Sequence, residues 1–484
     1  MAKHVSSLEL ALRERPSKVA ITEWLYGELR AAILDGRLKR GVRLPATRDF
    51  ARQYGVARGT ATLVFEQLRD EGYLHSRTGA GTWVNENLPA NLVALTGANR
   101  DAVNPVNSAR SRTAPRKLRP FWPSAPAVDA FPIDIWSRQA SRQWRHATRA
   151  MLTDGDIAGF APLRKTIVEY LGTSRSVHCT ADQVVVVTGT QQALDLVARL
   201  AIRPGDAAWI EDPGYFGASA ALRNARARTI PVPVDSDGID VHRGQQLAPR
   251  AKLAYVTPAH QFPLGVSMTI ERRIALLHWA RAVNALIVED DYDSEYRFTG
   301  KPIPSLQGLD RNGSVVFIGS FNKVLFPSLR LGYMVVPERL VDQALKLRFE
   351  TDFWVNSVNQ AILTAFIAEG HFGRHIRRMR EIYAARLAAL HEAATKYLGD
   401  SLRIPIIRAG LATAAFYNAP IASLELERQA ADSGVDAIAL GRFTRRERDI
   451  RGILLGFAAF DSVEISRGMQ KLATVLERCN RKQP

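Results

Sequence analysis

Two rhythms of apolar residues run along this chain. In ITEWLYGELRAAILDG, Ile21, Leu25, Leu29 and Ile33 recur every four residues, which puts them on one helical face, and Gly36 follows as a stop. A second helix is predicted over about Thr47–Tyr54, Gly55 turns the chain, and a third helix starts near Arg58 with Val64 and Leu68 facing inward. The stretch GYLHSRTGAGTWV reads as two short strands around Thr78-Gly79-Ala80-Gly81, a hairpin. The later runs QVVVVT, AAWIED, KLAYVTP, ALIVED, SVVFIG and LGYMVV are short and continuously apolar, as strands buried on both faces are. Helical segments such as QQALDLVARLA separate most of them, so the body is expected to be α/β, with a mainly parallel sheet covered by helices.

Neither rhythm is present from Asn85 to Arg119. The run NRDAVNPVNSARSRTAPRKLRP is rich in Pro, Asn, Ser and Arg, as linkers are. The expected organisation is a head over 18–84, a basic linker over 85–119 and a body over 120–484. A chain of 484 residues, 46% hydrophobic and 23% charged, is long enough for two or three domains of about 150 residues. The opening MAKHVSSLEL has no apolar signal region, and no stretch approaches the roughly 20 apolar residues of a membrane span. Cys179 and Cys479 lack ligand spacing, which argues against a disulfide framework or zinc site and fits a reducing cytoplasm. His371 and His375 have a helical metal spacing but no companion Glu or third ligand, so no metal is expected.

Charge distinguishes the two ends. The formal net charge is +17, and the first 122 residues hold 20 Lys and Arg against 11 Asp and Glu, an excess of 9 in a quarter of the chain. A polyanion is therefore expected at the head. Two helices joined by a short turn with Gly form a helix-turn-helix, whose second member enters the DNA major groove. Arg58, Thr60 and Thr62 stand near the N-terminal end of that helix, where side chains meet base edges or phosphates, and Arg77 stands at the tip of a wing-like hairpin.

The body's candidate chemistry follows the strand ends, because ligands of such sheets sit outside the carboxyl ends of the strands. After QVVVVT come Gly189, Thr190 and Gln191 at a helix start, a setting suited to a phosphate. After AAWIED comes Tyr215, able to stack on a planar heterocycle; ALIVED delivers Asp290, with Tyr292 two residues on; SVVFIG delivers Ser320 and Lys323, with Arg330 following. Pyridoxal 5'-phosphate requires this set. Lys323 would form the Schiff base with the aldehyde, Asp290 would hold the pyridine nitrogen protonated, and Tyr292 would donate to the ring hydroxyl. Ser320, Arg330 and the Thr190 turn would hold the phosphate.

The run GRLKRGVRLPATRDFARQYGVARGTATLVFEQLRDEGYLHSRTGAGTWV resembles the GntR-type winged helix-turn-helix. That resemblance implies DNA contacts by Arg48, the arginine of LP-x-x-R, by Arg58, and by the wing around Gly79. From about Phe121 onward, TGTQQALDL, EDPGYFG, TPAHQFPLG, VEDDYDSEYRF and GSFNKVLFPSLRLGY resemble fold type I aminotransferases, in that family's order. Together the two resemble the MocR/GabR family of bacterial transcription regulators. The resemblance implies roles for Lys323, Asp290, Tyr292, Tyr215, Ser320 and Arg330 in cofactor binding, and a head-to-tail homodimer that exchanges heads and bodies between protomers.

Departures bear on function. Ala57 stands where the head family usually has Ser or Thr, and Phe65 where Tyr is common; Ala412 replaces a His that often follows Gly-Leu in the regulators. Phe262 occupies the place of an Asn beside the ring hydroxyl in many aminotransferases, and Leu454 stands about where such enzymes carry the arginine that grips a substrate α-carboxylate. Ordinary amino-acid transamination is therefore not expected. Arg442, Arg445 and Arg451 are nearby, and their reading as solvated surface outweighs one as acid grips. The expected function is a transcriptional regulator that binds an operator in double-stranded DNA and takes up an amino compound as an external aldimine in place of Lys323. The alternatives are an authentic aminotransferase with a DNA-binding appendage, and a sensor of pyridoxal phosphate (vitamin B6) itself.

Overall fold

In the computed structural model the described residues are 10, 12, 15–16, 19–77, 80–88, 118–123, 125–300, 303–445 and 450–481. The chain divides into two compact units, residues 1–116 and 117–484. Most of the expected linker, residues 89–117, lies outside the described residues. Of its two ends, Asn85 is tied into the first unit, its backbone N–H donating to Tyr73 and its side-chain amide to Gly72. At the other end Arg119 donates to the Ala431 carbonyl within the second unit.

The first unit comprises helices α1 (Ile21–Leu34), α2 (Thr47–Tyr54) and α3 (Arg58–Asp70) and strands β1 (Arg43–Leu44), β2 (Leu74–Arg77) and β3 (Gly81–Val84). The strands form an antiparallel sheet in the order β1-β3-β2. Leu25, Leu29, Phe50, Ala61, Val64 and Leu68 are fully enclosed in its core. Burying a Leu, Val or Phe side chain contributes about 1.5–3 kcal/mol each, which is how so small a unit holds two helices at a fixed angle. Ile21 departs from its expected inward position and is 36% exposed, because as the first residue of α1 it lies beyond the last turn that the core covers. Gly55 closes α2 at φ 63, a left-handed turn natural to glycine, and so aims α3 away from α2.

The second unit is built on an eight-stranded sheet in the order β4-β11-β10-β9-β8-β5-β6-β7. Its strands are β4 (Val184–Val187), β5 (Ala207–Asp212), β6 (Arg228–Asp235), β7 (Gly238–Ile239), β8 (Leu253–Val256), β9 (Leu286–Asp291), β10 (Val315–Ser320) and β11 (Gly332–Val335). Every residue of β4, β8, β9, β10 and β11 is buried. Along β9, Leu286 and Val288 enter one core cluster and Ile287 another, so successive residues serve opposite faces. That is why these strands read as continuous rather than alternating runs.

β6, β5, β8, β9 and β10 are mutually parallel, whereas β11 runs antiparallel to both β10 and β4. Only residues 321–331 separate β10 from β11, too few for the helical crossover a parallel return needs. The chain instead turns back at the carboxyl end of β10, and this turn carries Lys323 and Arg330. A second, antiparallel sheet, order β12-β13-β15-β14, comprises β12 (Leu402–Arg403), β13 (Ala412–Tyr417), β14 (Ile438–Ala439) and β15 (Gly452–Gly456). Among the described residues no helix is long and apolar enough to cross a membrane.

Candidate functional site

In the first unit α2 carries Arg48 and Arg52, α3 carries Arg58 and Arg69, β2 carries Arg77, and Arg37, Lys39, Arg40 and Arg43 are exposed on the segment between α1 and α2. Arg48 and Arg58 are exposed, as is Arg77, which pairs with Gly81 at the end of β2, and Thr60 is half-buried. Asp49 faces Arg52 at 4.0 Å rather than Arg48. The Thr62 hydroxyl turns back to donate to the Arg58 carbonyl at 3.0 Å, a bond within the helix. Thr78 and Gly79 lie outside the described residues. Ala57 caps α3 with no side-chain acceptor, and no acid sits in its first turn, so no capping side chain competes for the first amides of α3. Sequence reasoning missed Arg43. Its guanidinium lies 5.5 Å from the centroid of the Trp83 ring, and His75 stacks on Trp83 at 5.6 Å, so a basic and aromatic edge runs along the hairpin sheet. The signal was there: buried Leu44 in a strand forces its neighbour Arg43 outward.

In the second unit the site assembles at the carboxyl edge of the sheet. β4 leads through Gly189, at φ 145, into helix α4 (Thr190–Ala201). A Cβ at Gly189 would come within 2.8 Å of the Asn322 amide, so only glycine fits. Asn322 fastens the β10–β11 turn to this one: its Nδ2 donates to the Thr188 carbonyl at 3.3 Å, and its Oδ1 accepts from the Leu331 amide at 3.0 Å. Thr190, Gln191, Ser320 and Lys323 are thereby gathered around one turn. The Gln191 side chain donates to the Gly217 carbonyl, which ties α4 to the helix Phe216–Asn224 after Tyr215. Arg330 stands exposed at the far end of the β10–β11 turn, at φ 54.

Asp290 is 4% exposed. Its Oδ2 accepts from the Tyr255 hydroxyl at 2.8 Å, while its Oδ1 is buried with no partner among the described residues. Burial pushes its pKa up to about 7 against the lowering effect of Tyr255. Lys323 is half-buried, and burial lowers its pKa to about 8, opposed by the carboxylates of Asp293 and Asp290. Phe262 stands edge-on to Tyr215 at 6.0 Å, to Tyr292 at 6.1 Å and to Phe443 at 5.0 Å. Burial holds the phenols of Tyr215 and Tyr292 above their usual range.

These residues fit pyridoxal phosphate. An orphaned carboxylate oxygen costs about 1–3 kcal/mol, and the protonated pyridine nitrogen is the donor it lacks. The glycine turn into α4 is a cradle that a side chain would fill, and a lysine with lowered pKa offers the free amine. Sequence reasoning missed Tyr255, His260, Asp293 and Asn322, whose contacts to the site span 30 residues or more, except that Asn322 adjoins Lys323.

The remaining residues singled out by sequence lie apart from this cluster or pack against its rim. Leu454 is 1% exposed in β15, between Ala414 and Ile438, in a cluster with Leu440 and Phe443 against which Phe262 packs. Arg442 pairs with Glu427 at 2.6 Å, Arg451 is exposed, and the Arg445 amide donates to Asp212 Oδ1 at 2.7 Å. His375 Nε2 meets the Val324 carbonyl at 3.1 Å and His371 meets Glu369 at 3.3 Å, so each histidine has its own protein partner.

Comparison with known proteins covers both units. Residues 21–84 match the family model described as bacterial regulatory proteins, gntR family, and residues 129–417 match aminotransferase class I and II. The chain is 38% identical over 467 residues to the probable rhizopine catabolism regulatory protein MocR of Rhizobium meliloti, covering 95% of this chain and 94% of that one. It is 29% identical to the pyridoxine biosynthesis transcriptional regulator PdxR of Corynebacterium glutamicum, covering 94% and 96%. Among solved structures, the α-aminoadipate aminotransferase LysN of Thermus thermophilus, complexed with N-(5'-phosphopyridoxyl)-L-leucine, superposes with TM-score 0.69 at 26% identity, covering 74% of this chain and 91% of that one.

Proposed function

The chain belongs to the MocR-type regulators of the gntR family, which join a gntR head to an aminotransferase class I and II body, and from that premise we propose that it switches transcription in response to an amino compound bound at Lys323. The observation that carries the reading is the pairing, on one chain, of an exposed arginine-bearing helix with a half-buried lysine whose pKa burial lowers to about 8. At pH 7 roughly a tenth of such a lysine is unprotonated, against roughly 0.03% at its ordinary pKa.

Bound pyridoxal phosphate supplies a carbonyl that condenses reversibly with primary amines. Asp290 holds the ring nitrogen through its unpaired oxygen, Tyr215 covers the ring face, and Tyr292 faces the ring hydroxyl. Gly189, Thr190, Gln191, Ser320 and Arg330 bind the phosphate. Lys323 is the residue whose amine an incoming amine would replace, and Asp293 and Asp290 would hold the proton on the lysine once free. Phe262, Phe443 and Leu454 form an apolar wall where an acid-gripping cation would stand, which favours retention of the amine over ordinary amino-acid turnover. Arg48, Arg58, Thr60, Arg77 and Gly79 bind an operator in double-stranded DNA, and the functional unit is a cytoplasmic homodimer with heads and bodies exchanged across the linker. For the amine to regulate, it must bind one arrangement of the dimer better than the other; a hundredfold preference is worth about 2.7 kcal/mol.

The test follows the visible absorbance of the protein loaded with pyridoxal phosphate through a panel of amines and amino acids, with DNA affinity measured alongside. One compound should shift the band, persist, and change DNA affinity in wild type but not in Lys323→Ala. Bleaching with release of a keto acid would make the protein an enzyme first. The similarity to PdxR favours one second reading, a sensor of pyridoxal phosphate itself. That reading wins if loading alone changes DNA affinity and no amine adds to it.

A further inference from the structure

Near Lys323, Asp293 is paired with a buried histidine, His260, that the function above does not use. His260 is 6% exposed and Asp293 is 2% exposed. The Nδ1 of His260 stands 3.1 and 3.0 Å from the two oxygens of Asp293, and the Tyr292 hydroxyl oxygen stands 3.2 Å from the same Nδ1. The imidazole occupies a slot shaped by two loops. A Cβ at Gly410, which has φ 110, would come within 2.2 Å of His260 Cε1 and 3.1 Å of Asp293 Oδ2; one at Gly265, φ 77, would come within 3.2 Å of Nε2. Two left-handed glycines from separate segments thus clear the space the ring fills. The Nε2 itself is buried and has no partner among the described residues, so the ring is held from its Nδ1 side.

That arrangement fixes a proton. A carboxylate offers acceptors only, so the nitrogen facing it must carry the hydrogen. With Nδ1–H committed as a donor toward Asp293, the Tyr292 oxygen beside it can only accept from it. The tyrosine's own O–H therefore has to point elsewhere, and the open direction is the site. The carboxylates facing Tyr292 are Asp293 and Asp290, with Glu211 and Asp291 beyond, and Lys323 faces Asp293 and Asp290.

We infer that the His260–Asp293 pair is a positioning unit that turns the Tyr292 hydroxyl proton toward the ring hydroxyl of the cofactor, at the edge where Phe262 leaves no side-chain amide. This rests on the reading of the site as one for pyridoxal phosphate. A donor held on that ring oxygen draws charge from it and lowers the affinity of the nitrogen joined to the ring aldehyde for its proton. Losing the donor raises the pH at which the visible band titrates.

The experiment is a spectral pH titration of the loaded full-length protein, in wild type, His260→Leu, Tyr292→Phe and the double variant. If the wild type forms no visible band reducible by borohydride onto Lys323, the underlying reading of the site fails before His260 is tested. Given that band, each single change is expected to raise the titration midpoint by about one pH unit, tenfold in proton affinity. The double variant should match Tyr292→Phe alone, because His260 acts only through the tyrosine. An unchanged midpoint in His260→Leu, or a further rise of equal size when it is added to Tyr292→Phe, overturns the proposal. Should His260→Leu not fold, His260→Ala in the same cycle replaces it, judged by the same loss of additivity.

Discussion

The head and the body use charged residues in opposite settings. Arg48, Arg58 and Arg77 stand in water on a small unit, and their attraction for a polyanion is screened and roughly additive. Asp290 and Asp293 are buried, Asp290 bonded to Tyr255 and Asp293 to His260, and burial pushes Asp290 and the phenols of Tyr255 and Tyr292 above their usual ranges. Exposure makes contributions separable and tunable by salt; burial makes them large, coupled and tunable by pH. The function proposed above draws on both, a buried site that decides occupancy and an exposed head whose affinity can be released.

The largest expected effect is therefore in the body. Burial pushes Asp290, Glu211 and Glu289 each up to about 7, so without cofactor the folded body binds protons that the unfolded chain releases above its ordinary carboxylate range. By linkage the stability these groups confer is greatest in acid and is lost as pH rises from about 4 toward 7. Lys323 works in a different window: its lowered pKa penalises the fold below about 8, and the penalty is relieved between about 8 and 10.5. The unloaded protein is expected to melt higher at pH 5.5 than at pH 7.5. Asp290→Asn should flatten that slope while weakening pyridoxal phosphate binding about a hundredfold, since the ring nitrogen loses a buried anionic partner. Melting curves across pH, with cofactor titrations, check both; a slope unchanged by Asp290→Asn would mean its carboxylate is ionised and solvated.

How much of this was legible follows the same division. The continuous apolar runs revealed the sheet because β4, β8, β9, β10 and β11 are buried on both faces, and Lys323 and Asp290 stood out because strand ends are where such sheets keep polar residues. The reversal of β11 was not read, although the short 321–331 connection encodes it. Tyr255, His260 and Asp293 escaped because each acts through a partner about 33 residues away, a distance that register and loop packing decide and local pattern does not. In the head, Ile21 misled because a helical repeat predicts a face but not where the core ends.

A smaller effect is expected at the surface. Arg58→Ala should weaken operator binding about tenfold and lower the slope of log affinity against log salt by about one, leaving cofactor absorbance and its pH titration untouched. Arg48→Ala should behave the same way. DNA titrations at several salt concentrations test this, and a change in the visible band on either substitution would show that the two settings are not separable.

The smallest effect concerns the uncapped start of α3. Helix α3 opens at Ala57 with no side-chain cap and with a cation, Arg58, at its positive end, both unfavourable choices for a helix start. Ala57→Ser supplies the missing acceptor for the amide of Gly59 or Thr60 and should stabilise the start of α3 by about 1 kcal/mol. Hydrogen exchange of the first-turn amides in the full-length protein reads that gain directly. Operator affinity should change by less than about threefold, because a hydroxyl that occupies one amide donor offers its own O–H to the phosphate in exchange. A tenfold loss of DNA binding together with stronger protection would show instead that the uncapped amides themselves hold the phosphate, and that Ala57 keeps them open for it.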